Sequence, residues 1–81
     1  MSIEGRRLLL VTWKDAASNH AGWEKLETIA RQQPPTVRSV GWELKRTKRH
    51  LTLVASILED EGSGDLTIPL GMIVAEKELK L

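Results

Sequence analysis

The apolar positions change their spacing three times along the chain. Arg7-Leu8-Leu9-Leu10-Val11-Thr12-Trp13 is short and apolar, with β-favouring residues toward its end, and predicts a strand over 7–13. Lys14-Asp15 breaks that run, and Asp15 to Gly22 reads as loop and capping material. Trp23, Leu26, Ile29 and Ala30 then recur at helical spacing, and Pro34-Pro35 stops any helix before them. The pattern predicts one short helix over 21–32 whose apolar face, led by Trp23, packs on a sheet.

Beyond the prolines the period drops to two. Val40, Trp42 and Leu44 share one parity, and Leu51, Leu53, Ala55 and Ile57 share one in the next run. This predicts a hairpin of strands 37–45 and 50–58 around the polar turn Lys45-Arg46-Thr47-Lys48-Arg49-His50, with Trp42 in the core. Glu59-Asp60-Glu61-Gly62-Ser63-Gly64-Asp65 reads as a flexible acidic loop. Leu66 to Pro69 is a short strand with its proline at an end or edge, and a last strand covers at least 71–75. Five strands and one helix between strands 1 and 2 define a mainly β (α+β) class, a small and strongly bent β-barrel in a single domain over 1–81.

Composition removes more functions than it offers. The 81 residues carry 12 Lys+Arg against 11 Asp+Glu, a net charge of +1, so no global field draws the chain to nucleic acid or membrane. The absence of cysteine excludes disulfides, thiolate metal sites and cysteine nucleophiles together. No apolar run approaches a membrane span, and residues 1–7 lack the apolar core of a secretory signal, so a cytoplasmic protein is expected. No Phe or Tyr is present, and three Trp supply all the aromatic area.

Asp15, Ser18 and His20 are the residue types of a hydrolytic triad. Three such groups within six positions of one loop cannot face each other as nucleophile, base and orienter normally do. Asp15 and Ser18 are read instead as oxygens that cap backbone N–H groups ahead of the helix. His20 and His50 lack partners for a metal site, and the acidic loop lacks the spacing of a calcium loop. No cofactor, metal or catalytic residue is expected. The electrostatic feature is the turn: Lys45, Arg46, Lys48 and Arg49, with Arg38 upstream, form a local positive knob that suits phosphate. Trp13, ending a strand beside the Asp15–His20 loop, is expected at the rim of any pocket. The candidate ligand-binding set is therefore Trp13, Asp15, Ser18, His20, Arg38, Lys45, Arg46 and Arg49.

The ordered segments Val11-Thr12-Trp13-Lys14-Asp15-Ala16, Ser18, Gly22-Trp23, Pro35, Ser39-Val40-Gly41-Trp42 and Gly64-Asp65-Leu66-Thr67-Ile68-Pro69-Leu70-Gly71 span most of the chain. In them the sequence resembles a recurring type of small protein encoded by tailed bacteriophages and prophages. The resemblance implies a phage or prophage source and a small barrel of Sm-like or Src-homology-3-like appearance. With it come three expectations. The first is a non-catalytic binding protein acting in the host bacterial cytoplasm on a host protein or a small phosphorylated, nucleotide-like signal, in counter-defence or host takeover. The second is an Sm-like protein that binds RNA or DNA; the third is a virion assembly component. Exposed strand edges add the expectation of a homo-oligomer, and no membrane partner is foreseen.

Overall fold

The computed structural model describes residues 5–16 and 22–81. Five strands are present: β1 (Leu8–Lys14), β2 (Thr36–Arg46), β3 (His50–Leu58), β4 (Glu61–Pro69) and β5 (Ile73–Leu79). They form one antiparallel sheet in the order β4-β3-β2-β1-β5. A short helix, α1 (Leu26–Ala30), lies between β1 and β2, and the 3-10 turn Leu70–Met72 joins β4 to β5. No described helix is long and apolar enough to cross a membrane.

The mainly β class and the order of its elements agree with the sequence. The sheet curls but does not close. Pro69 and Ile73 lie on opposite edge strands, which in a flat five-stranded sheet stand roughly 19 Å apart, four spacings of about 4.8 Å. Four residue steps reach at most about 14 Å, so this short link forces the edges toward each other. Among the described residues no pairing joins β4 to β5, and the expected barrel is an open, bent sheet.

The concave side holds the core. Leu9, Val11 and Trp13 of β1 pack with Leu51 and Leu53 of β3 and Ile68 of β4, and Val37, Leu66, Leu70 and Ile73 fill in around them. The β1–β2 register sets Leu9 opposite Gly41, Val11 opposite Ser39 and Trp13 opposite Val37, so β2 lends mostly small residues to this side. A Cβ on Gly41 would stand 3.0 Å from Leu53 Cβ, which is why this layer has room only for glycine. Val40 and Trp42 of β2 point the other way. Val40 is 55% exposed and Trp42 is only half-buried, on the outer face, so the expected placement of Trp42 in the core is corrected. Period two shows which residues share a face, not which face is covered.

Trp13 takes the core position instead. It is 9% exposed, and its indole N–H donates to Ser39 Oγ at 3.0 Å. The expectation that it rims a pocket is corrected accordingly.

Two further expectations change. The helix spans only Leu26–Ala30, buries no residue and has no side-chain cap, so the extent 21–32 and its packing on the sheet are both corrected. Trp23 is fully exposed. The acidic loop contracts to a turn at Glu59-Asp60, because β4 already begins at Glu61. Its glycines mark close approach between strands rather than slack: a Cβ on Gly62 or Gly64 would fall 2.9 Å from Val54 Cγ2 or Ala55 Cβ.

Candidate functional site

The turn between β2 and β3 is fixed by one hydroxyl. Thr47 Oγ1 accepts from the backbone N–H of Arg49 at 3.2 Å and of His50 at 3.0 Å, while Thr47 N donates to His50 O at 2.9 Å. Leu70 N also donates to Arg49 O at 2.8 Å, so the turn is held by its own hydroxyl and by the link that follows β4. Lys45, Lys48, Arg49 and His50 are exposed on it, and among the described residues Lys45, Lys48 and Arg49 make no ion pair. Three unneutralised cations on a short, ordered turn give a local positive potential that a net charge of +1 conceals.

Arg46 belongs to a different arrangement. A bulge between Glu43 and Lys45 shifts the β2–β3 register and turns Arg46 toward the concave side, opposite Leu51. Its guanidinium donates to Glu43 Oε1 at 2.8 Å and, across β1, to Glu76 Oε1 at 2.5 Å. Arg7 also donates to Glu43 Oε1 at 2.7 Å and approaches Glu78 at 4.0 Å. For the Glu43 carboxyl, partial burial pushes the pKa up, but hydrogen bonds and charge from Arg46 and Arg7 outweigh it and hold the value below the ordinary one. The two carboxylates in turn raise the pKa of Arg46, so it stays charged. The chain thus engages Arg46 itself, in a link between β2 and β5 across the mouth of the curled sheet. Sequence spacing missed Glu43 and Glu76, since only the curl brings β5 within reach of β2.

The remaining described candidates, Trp13, Asp15 and Arg38, lie at the far end of the sheet. Arg38 pairs with Thr12, one position from Trp13, and Lys45 lies seven residue steps farther along β2, roughly 23 Å. One small ligand cannot touch both within a single chain. Asp15 is exposed; its Oδ1 accepts from Ala16 N at 2.8 Å, and its backbone N–H bonds Pro35 O at 3.1 Å. It therefore serves a local turn that closes the neck below α1, and α1 itself begins after Lys25 without it. Ser18 and His20 lie outside the described residues. Two shallow depressions flank the β3–β4 hairpin, lined by Leu44, Val54, Ile57, Leu58, Asp60, Glu61 and Gly62. Both are apolar with an acidic rim, the wrong sign for a phosphate.

The six candidate residues that the structure describes are thus divided among separate places, and among the described residues the exposed cations Lys45, Lys48 and Arg49 of the turn stand together. Comparison with protein-family models, curated proteins and solved structures finds no match to this chain.

Proposed function

We propose that this chain is a non-catalytic binding protein of the tailed-phage and prophage type, which engages an anionic host component through the β2–β3 turn. The observation that carries the reading is the turn itself: Lys45, Lys48 and Arg49 make no ion pair among the described residues, on a backbone bonded to the Thr47 hydroxyl. A preorganised turn loses little freedom on docking, and its cations can steer and hold an anionic surface. Neither depression beside the β3–β4 hairpin is lined by those cations, and we read the partner as a broad anionic surface. A role in counter-defence or host takeover within the host cytoplasm fits such a partner. The same cations favour a second reading, RNA or DNA binding through phosphates.

The test uses the double variant K48S/R49S and leaves Arg46 in place. Immobilised protein is challenged with host lysate, with mono-, di- and cyclic nucleotides, and with oligonucleotides of increasing length, at two salt concentrations. A host protein retained by the native chain and lost by the variant, with unchanged melting, supports the first reading. Binding that grows with strand length and falls steeply with salt supports the second. Equal retention by native chain and variant refutes both.

A further inference from the structure

Of the four cations in Lys45-Arg46-Thr47-Lys48-Arg49, three make no ion pair among the described residues, and Arg46 alone is engaged within the chain. Every nitrogen of its guanidinium donates. Nε and Nη2 bond Glu43 Oε1 at 3.1 and 2.8 Å, and Nη1 and Nη2 bond the two oxygens of Glu76 at 3.2 and 2.5 Å. The two carboxylates are not equivalent. Glu43 also accepts from Arg7, which approaches Glu78, whereas among the described residues Glu76 pairs with Arg46 alone. Arg6, at the same end, donates to the carbonyls of Glu43 and Leu44. Loss of Arg46 therefore leaves Glu43 one charged partner and Glu76 none. Register does not bring Arg46 and Glu76 together. Glu76 lies opposite Val11, Val11 opposite Ser39, and Arg46 is seven residue steps beyond Ser39 on β2. In a flat sheet, two strand spacings of about 4.8 Å and seven steps of about 3.3 Å set their Cα atoms roughly 25 Å apart. That is farther than the two side chains extend. The curl closes the gap where β2 changes partners, since Thr36–Trp42 pairs with β1 and Trp42–Arg46 with β3. The pair is a chord across that curl, and its far end sits on an edge strand bonded to β1 only. The side chains of Arg46 and Glu76 are 32% and 30% exposed, so an anion from solvent can compete for the guanidinium.

We infer, resting on the proposed role of the β2–β3 turn as an anion contact, that Glu76 regulates that turn by withholding Arg46 from it. Glu76 occupies the fork between Nη1 and Nη2. An anion that engages Arg46 beside Lys45, Lys48 and Arg49 needs the same fork and displaces the carboxylate. Phosphate is the chemistry that suits the exchange, because a guanidinium that holds a carboxylate through two donors holds two phosphate oxygens in the same way. By linkage, whatever weakens the Arg46–Glu76 pair tightens phosphate, and phosphate weakens the pair by the same factor. An ion pair open to solvent is weak, so the factor is about two- to fivefold. Glu43 does not move in this exchange, since Arg7 holds it from the other side.

Inorganic polyphosphate, titrated into the full chain at two salt concentrations, tests the inference. E76Q should bind it about two- to fivefold tighter than the native chain. E78Q removes the same charge from β5 without releasing Arg46, and should gain less. R46S should cost more affinity in the E76Q background than in the native chain, which a double-mutant cycle reads. Carboxyl carbon-13 spectra follow Glu76 itself: saturating polyphosphate should move its resonance in the native chain toward its position in R46S. Melting checks that each variant folds, and the spectra of the native chain decide the matter even where E76Q does not. Affinity of E76Q no tighter than native overturns the inference, as does a gain that E78Q matches or that R46S leaves intact. A Glu76 resonance that polyphosphate does not move, or a native chain that binds no polyphosphate, overturns it too. K48S/R49S separates the two levels. Weaker binding by K48S/R49S, with E76Q equal to native, sinks the role of Glu76 and spares the turn. Equal binding by K48S/R49S and the native chain sinks the turn as an anion contact, and the inference with it.

Discussion

Replacing Trp13 by Ala should damage this fold more than either other tryptophan truncation. The indole is 9% exposed and sits in the same core layer as Leu9, Val11, Leu51, Leu53 and Ile68. Large-to-small changes of a core aromatic cost about 3–5 kcal/mol. An 81-residue chain at typical stability per residue has roughly 4–12 kcal/mol in total, so the loss takes about a quarter of it or more. Part of that loss is the hydrogen bond to Ser39 Oγ at 3.0 Å, which a double-mutant cycle isolates. Trp13→Phe keeps an aromatic ring but leaves Ser39 without its donor, and a coupling of about 0.5–1.5 kcal/mol between Trp13→Phe and Ser39→Ala is expected. Trp42→Ala, half-buried on the outer face, should cost about half as much as Trp13→Ala, and Trp23→Ala should leave the dilute-solution midpoint unchanged. Urea titrations followed by circular dichroism at low concentration read all of these. If Trp13→Ala shifts the midpoint no more than Trp42→Ala, the assignment of the concave side as the core is wrong.

Arg46→Ser should lower stability by about 1 kcal/mol, because it frees both Glu43 and Glu76, whereas Arg49→Ser on the exposed turn should not move the thermal midpoint. Glu43 has a folded pKa below its unfolded value of 4.5, so its stabilisation is full above that value and is lost as pH falls through the folded pKa. Thermal melts from neutral to strongly acid pH should show this loss, and Glu43→Gln should flatten the acid limb. If the acid limb of Glu43→Gln keeps its slope, another carboxylate controls it. Gly64 has φ +70 and would set a Cβ 2.9 Å from Ala55 Cβ, so Gly64→Ala should cost about 1–2 kcal/mol. Gly71, with open space around it, serves as the neutral control in the same urea titration.

Local pattern by itself determined β1, β2, β3, the end of β4 and the start of β5, the turn between β2 and β3, the stop at Pro34-Pro35 and the concentration of positive charge at residues 45–49. These follow from spacing and residue type within a few positions, which the unfolded chain already possesses. The covered side of the sheet is another matter. Alternation grouped Val40 with Trp42, and the apolar run of β1 named no face at all; only the assembled register showed that Leu9, Val11 and Trp13 meet β3 and β4 on the concave side. Gly62 and Gly64 looked like loop because the need for glycine comes from Val54 and Ala55 on the neighbouring strand. Arg46 was legible as a cation but not as a paired one, since Glu76 reaches it only after the short link at Leu70–Met72 bends the sheet. Local sequence sets what each segment can form. Curvature and register, which depend on residues distant in the chain, decide what each side chain touches.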